Sequence, residues 1–338
     1  MRRTPILLDS DPGLDDAVAL HYLLTRQECE LKAYTAVGGN LPVECTFRNA
    51  RALASAFGID DDVPVFQGAG RPISRVKVRS SFHGPTGLGQ MVLSDSKAPT
   101  PSEDAVSAML RLSRQFEGEL TVAATGPLTN IAAALVLDPA FAGRIRHLVF
   151  MGGAAMVPGN MTSVAEFNIW ADPDAADIVL SSGITYTMVG LDATHQAIFT
   201  SADLAHLEKG PGAMTGLSAQ LMRDYLRAYS RFTGSDHCFL HDPLTVGVAV
   251  DERFVSTEPG VVAVSCDLGL TRGQTVFLSE VAAQGDDLPE VLRARLDCSG
   301  SVAMSQGQLD FTTDFVQRLR APLPSPLRAL AEDCADFG

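Results

Sequence analysis

The stretch Ile6-Leu7-Leu8-Asp9-Ser10-Asp11-Pro12-Gly13-Leu14-Asp15-Asp16-Ala17 decides how this chain is read. A short apolar run enters a Pro-Gly turn and then residues at helical spacing, which describes a strand delivered into a helix. That arrangement places the acids at the carboxyl edge of a sheet, where open α/β proteins bind their ligands. Asp15 and Asp16 suit a helix amino terminus through its dipole, and Asp11 suits a turn. Four carboxylates within eight positions still repel one another unless a cation or a proton is shared among them. Oxygen ligands alone point to a hard cation, Ca²⁺ or Mg²⁺, rather than to zinc. The spacing is not that of an EF-hand, because Gly13 stands where the third ligand belongs and Leu20 where the terminal glutamate belongs.

Outward from this segment, short β-branched runs alternate with longer amphipathic ones. Residues 5–9, 31–37, 120–124, 147–151 and 185–191 read as strands, and 17–25, 44–57, 105–116 and 171–182 as helices. The alternation predicts an α/β fold with an open, mostly parallel sheet flanked by helices. The chain of 338 residues shows no repeat and no concentrated linker, so one domain over 1–338 is the simplest account. Residues 218–236 carry aromatics on a helical stretch ending in Thr233-Gly234-Ser235, which suits a mobile lid over a pocket or an ordinary surface helix. The proline-rich tail at 321–326 leads into a short final helix and receives no functional weight.

A formal charge of −14 repels phosphate backbones and anionic membranes, so neither nucleic acid nor membrane is an expected partner. The cysteines at 29, 45, 238, 266, 298 and 334 form no CxxC pair, which fits a reducing compartment. Arg2 and Arg3 precede too few apolar residues for a signal-peptide core, and no apolar run is long enough to span a bilayer. The expected location is cytoplasmic.

Further polar clusters lie downstream. Glu166 and Asn168, in a segment opening at Asn160, face the same way if extended and could hold a polyhydroxylated ligand; a polar loop capping a helix is the alternative. His241-Asp242-Pro243 could complete a metal shell and supply a proton, or could simply cap a helix. Thr125, at the end of another strand, could turn its backbone carbonyl to the same crevice, and His83 sits in a glycine-rich loop. Two other functions compete for the acids. A haloacid-dehalogenase-like phosphohydrolase also opens with Asp-x-Asp after a strand, but here Pro12-Gly13 follow, and Gly285-Asp286-Asp287 is only a weak echo of its second acidic motif. A non-catalytic Ca²⁺-dependent binding module would need the same acids.

Taken jointly, the Asp9 to Asp16 loop, Gly38-Gly39-Asn40, Thr125-Gly-Pro-Leu-Thr-Asn130, Met151-Gly-Gly153, Glu166-Phe-Asn168 and His241-Asp-Pro243 resemble, in order, the inosine-uridine-preferring nucleoside hydrolases. The resemblance implies a Rossmann-like fold, usually a homodimer or homotetramer, and Ca²⁺-dependent hydrolysis of the N-glycosidic bond of ribonucleosides in nucleoside salvage or catabolism. It implies Asp11, Asp16, Asp242 and the Thr125 carbonyl as Ca²⁺ ligands, with Asp11 also the base that takes a proton from the attacking water. Asp15, Asn40 and Asn168 correspond to residues holding the secondary ribose hydroxyls, Asn160 and Glu166 to those on the 5′ side, and Met151 to an apolar contact under the sugar. His241 is the first candidate to assist the departing base, followed by His83, Tyr225 and Tyr229. Histidine before Asp242 resembles the base-nonspecific and pyrimidine-preferring branches, and Trp170 is expected to pack on the sheet. His195 is read as structural.

Overall fold

The computed structural model describes residues 3–73, 80–280, 282, 293, 295–298 and 300–321. The acidic echo at 285–287, Arg2, Cys334 and the tail beyond residue 321 lie outside the described residues. The strands are β1 (Thr4–Ser10), β2 (Cys29–Ala36), β3 (Val65–Gln67), β4 (Thr121–Ala124), β5 (His147–Met151), β6 (Tyr186–Val189), β7 (Ile198–Thr200), β8 (His237–Phe239), β9 (Val255–Val264), β10 (Thr275–Ser279) and β11 (Gly300–Gln306). Among the described residues one sheet has nine strands in the order β10-β9-β11-β6-β5-β4-β1-β2-β3, and β7 pairs with β8 in a separate ribbon. The run from β3 to β11 is parallel, while β9 pairs antiparallel with both β11 and β10.

β1 lies inside this sheet, between β4 and β2, because it has no polar face to expose. Every residue from Pro5 to Ser10 is buried, the near-continuous apolar pattern of a strand covered on both sides. Alternation then divides it: Ile6 and Leu8 join one hydrophobic layer and Leu7 the other. The first layer takes the helices Leu14–Leu24, Ala213–Thr233 and His241–Val250; the second takes Ala105–Gln115, Thr129–Leu137 and Pro173–Leu180.

The strand order 3-2-1-4-5-6 within the sheet has its reversal between β1 and β4, and a crevice opens at the carboxyl ends of such a pair. The turn after β1 carries Asp11, and the residue after β4 is Thr125, whose N–H donates to the Asp9 carbonyl at 2.8 Å. The sequence alone therefore located the acids correctly relative to the sheet. Some element limits move. The first helix starts at Leu14, not Ala17, since Asp15 and Asp16 form its polar first turn and leave no apolar period to detect. The helix expected over 171–182 is the shorter Pro173–Leu180, which Asp172 caps with Pro173 in its first turn, and Ala171 instead ends a separate short helix, Phe167–Ala171.

Candidate active site

Asp11, Asp15, Asp16 and Asp242 converge at this switch point, all buried. Asp11 comes from the turn after β1, Asp15 and Asp16 from the first turn of the helix Leu14–Leu24, and Asp242 from the first turn of His241–Val250. The carboxylates of Asp15, Asp16 and Asp242 offer oxygens within 4.8 Å of one another. Asp11 is held from the side, its Oδ2 accepting the Asn40 backbone N–H at 2.6 Å while the Asn40 amide donates to the Asp11 carbonyl at 3.3 Å. Asp16 accepts from the Gly13 N–H at 2.8 Å and from the Thr125 hydroxyl at 2.7 Å. Asp15 accepts from the Tyr225 hydroxyl at 2.8 Å.

Burial is the main force on these groups. It raises the Asp11 carboxyl well above the ordinary range, with repulsion from Asp16 adding to it, and pushes Asp16 up to about 7, helped by Asp15. Asp242 is likewise raised, by burial and then by Asp15 and Asp16, and it shares a hydrogen bond with Asp16. A proton between those two carboxyls relieves the repulsion that a cation could relieve instead. The donor set fits a hard cation on a second count: Asp11 Oδ1 and Asp15 Oδ1 are buried with no hydrogen-bond partner.

A cavity of about 420 Å³ opens over this cluster, with Asp15, Asp242 and the Thr125 segment in its wall. Asp11 and Asp16 lie beneath the wall rather than in it. Asn168 ties the floor together, its amide donating to the Thr125 carbonyl at 2.9 Å and to the Met151 carbonyl at 3.2 Å, with the Met151 sulfur at 3.4 Å. The far end of the cavity is aromatic. His241 there is buried and held at both ring nitrogens, by the Thr194 hydroxyl at Nδ1 and the Tyr229 hydroxyl at Nε2, each 2.8 Å away. Burial pushes its pKa down to about 4. His83 accepts the Leu14 N–H at 3.1 Å through Nδ1, and its nearest charge is Asp15 Oδ1 at 3.7 Å.

The sequence profile of the inosine-uridine preferring nucleoside hydrolases matches residues 6–299. The chain belongs to that family. A probable uridine nucleosidase 1 of Oryza sativa subsp. japonica is 32% identical over 82% of this chain and 86% of its own length. The pyrimidine-specific ribonucleoside hydrolase RihA of Shewanella sp. (strain MR-7) is 38% identical over 80% of this chain and 86% of its own. Among solved structures, the plant nucleoside hydrolase PpNRh1 superposes with a TM-score of 0.89 at 30% identity, covering 95% of this chain and 100% of its own. The purine-preferring ribonucleoside hydrolase of Gardnerella vaginalis gives 0.85 at 32%, covering 96% and 99%. The protein is therefore an N-glycosyl hydrolase acting on ribonucleosides, and the phosphohydrolase and binding-module alternatives give way.

In this nucleoside hydrolase, the predicted residues Asp15, Asn40, His83, Met151, Asn160, Glu166, Asn168, Tyr225, Tyr229 and His241 all reach one cavity. Glu166, Asn168 and Asn160 also have structural tasks. Glu166 and Asn168 do not lie on an extended segment: Glu166 is the N-cap of Phe167–Ala171, and its carboxylate accepts the N–H groups of Gly153, Asn168 and Ile169 at 2.8 to 3.1 Å. Asn160 is exposed, and its side-chain oxygen accepts the Phe167 N–H at 2.9 Å. Sequence reasoning missed Phe82, Phe232 and Phe239 in the aromatic end, and His195, read as structural, also lines it. Phe82 meets the Tyr229 ring edge-on at 5.1 Å and Phe232 at 5.4 Å. Trp170 is half-buried beside Gly273 and takes no part in the cavity wall.

Proposed function

We propose that this nucleoside hydrolase is Ca²⁺-dependent and releases free base and ribose from purine or pyrimidine ribonucleosides. The observation that carries the reading is the pair of buried, unpartnered oxygens, Asp11 Oδ1 and Asp15 Oδ1, in a cluster of four acids. Asp11, Asp16, Asp242 and the Thr125 carbonyl would hold the ion, with Asp15 completing the negative surround. When bound, Ca²⁺ neutralises the acids, grips vicinal hydroxyls and acidifies nearby water.

The residues of the chain account for the remaining chemistry. Asp11, clamped through Oδ2 by Asn40, keeps Oδ1 available to take the proton of the attacking water. As the water oxygen bonds the anomeric carbon, the C–N bond breaks and its electron pair leaves with the base. In the transition state, with the C–N bond largely broken and the C–O bond not yet made, the ribose ring carries oxocarbenium-like positive charge, which the surrounding carboxylates favour. Asp15, Asn40 and Asn168 hold the secondary hydroxyls, Met151 lies under the ring, and Asn160 and Glu166 bound the 5′ side. The base occupies the aromatic end with His83, Tyr225 and Tyr229. His241, kept neutral by burial, assists the leaving nitrogen as an N–H donor rather than as a ready-made imidazolium, its Nε2 exchanging the Tyr229 hydroxyl for the base.

The test is a panel of purine and pyrimidine ribonucleosides with their 2′-deoxy analogues, read as free base and reducing sugar. EDTA treatment and Asp11→Ala should each abolish turnover, and deoxy analogues should hardly react. Full turnover in EDTA would sink the metal requirement, and rapid cleavage of deoxy substrates would sink the hydroxyl grip.

The remaining expectations belong to the same proposal. The whole chain forms one domain, and the moving part of a lid over 218–236 is the end near Phe232 and Gly234, because Leu221, Met222 and Tyr225 anchor the rest of the helix in the core. Among the described residues no helix is long and apolar enough to cross a membrane. Cytoplasmic localisation follows the cysteine pattern, assembly as a homodimer or homotetramer follows the family resemblance, and sedimentation of the full chain reads the latter.

A further inference from the structure

Three imidazoles line the cavity, and their hydrogen bonds set one apart. His83 has Nδ1 occupied by the Leu14 N–H, and His241 has both nitrogens occupied, by Thr194 and Tyr229. His195 makes no hydrogen bond through either ring nitrogen among the described residues. Packing fixes its plane instead: its centroid lies 4.5 Å from that of Phe239, with 35° between the rings, and 5.9 Å from that of His241. It is half-buried, on the residue that ends the short helix Leu191–Thr194. A side chain so held, with its polar atoms unspent on a cavity wall, retains both a donor and an acceptor for a ligand. Leaving them unpaired once the cavity closed over a base would be costly, and a matching base removes that cost.

We propose that His195 is a specificity-determining residue that hydrogen-bonds the polar edge of the nucleobase at the aromatic end of the cavity. This rests on the reading that the ribose lies against the acids, which leaves the base facing Phe239 and His195. Burial lowers the His195 pKa, so the ring is neutral near pH 7 and presents one N–H and one bare nitrogen. One nitrogen at a time can face the base, the N–H meeting a carbonyl or the bare nitrogen meeting an N–H, and the edges of uracil and hypoxanthine offer both partners. No bond forms or breaks at His195, and its contribution is discrimination among bases.

The experiment compares His195→Phe and His195→Gln with the unaltered protein on uridine, cytidine, inosine, adenosine and p-nitrophenyl β-D-ribofuranoside. The last has no base edge to read and a leaving group that departs as a stable anion. Phenylalanine keeps the packing on Phe239 and removes both polar atoms, whereas glutamine restores a donor and an acceptor. In His195→Phe, kcat/KM for uridine and inosine should fall about tenfold more than for the nitrophenyl riboside, and the spread between bases should narrow. His195→Gln should recover part of the loss, with thermal midpoints confirming that both variants fold. An equal loss on every substrate, the nitrophenyl riboside included, or no loss on any, overturns the proposal. Asp11→Asn on the nitrophenyl riboside separates the two ideas: retained turnover there would remove the reading of the acid end, whatever His195 does.

Discussion

Gly39 shows how narrowly the acid end is built. A Cβ placed there would lie 2.1 Å from Asp11 Oδ2 and 2.8 Å from the Pro127 ring, and its backbone requires no unusual conformation. Gly39→Ala therefore tests the position of Asp11 without touching its chemistry. Overpacking of this kind costs about 1–3 kcal/mol, and because Asp11 is the movable partner its carboxylate should be displaced. We expect kcat to fall at least about tenfold, with unchanged far-ultraviolet circular dichroism. A variant with undiminished kcat would remove Asp11 from the reacting atoms. His241→Ala probes the other end, where the ring is held at both nitrogens. If it assists the departing base, kcat should fall about 100-fold with little change in KM, and unchanged steady-state rates for inosine and uridine would end that assignment.

Among the elements, the short helix Phe167–Ala171 shows what could and could not be read from the sequence. Residues 166 and 168 stood out as candidates by type and spacing, with a helix-capping loop as the alternative, and their division of labour depends on tertiary placement. Glu166 accepts three backbone N–H groups, including that of Asn168, so it holds in place the amide that braces Thr125 and Met151. Glu166→Ala should therefore act through the helix: three buried donors lose their acceptor, at a cost of about 2–3 kcal/mol or more in urea unfolding. Glu166→Gln, which keeps one oxygen, should cost less. Equal stability of all three proteins would show that water replaces the cap. The acid loop was legible because one local stretch, β1 with the turn and helix start after it, carries both the strand signal and three of the four clustered acids, Asp11, Asp15 and Asp16. The aromatic end was not, since Phe82, Phe232 and Phe239 arrive from a loop, a helix end and the β8 ribbon, and each alone looks like an ordinary core residue. His195 shared that fate, since nothing in its local sequence says that its neighbours leave its nitrogens unpaired.

At the scale of the whole molecule, a chain of formal charge −14 folds with a cluster of carboxyls at its centre, so cation binding and stability should be linked. Burial raises Asp9, Asp16 and Glu166 to about 7 and lifts Asp11 and Asp242 as well. A carboxyl whose folded value exceeds its unfolded one binds its proton more tightly in the folded chain. Its stabilisation is complete below the unfolded value, 3.8 for an aspartate, and is lost as pH rises through about 7. His21 acts in the opposite sense over a different range. It hydrogen-bonds Ser218 at 2.7 Å, and burial lowers it from 6.5 to about 3, so it destabilises the fold only as pH falls below 6.5. His83, His147, His195 and His241 are lowered in the same way, so the five imidazoles oppose the carboxyls as pH falls through 6.5, and from about pH 7.5 to about pH 8.5 the raised carboxyls dominate the slope. We expect the thermal midpoint of the EDTA-treated protein to drop across that interval, and saturating Ca²⁺ to raise it more at the upper pH than at the lower. The ion takes over the role of the departing protons, so the gain grows as they leave. A Ca²⁺ effect equal at both pH values would mean that the ion binds away from these acids, and no effect at either would mean that the cluster holds protons and nothing else.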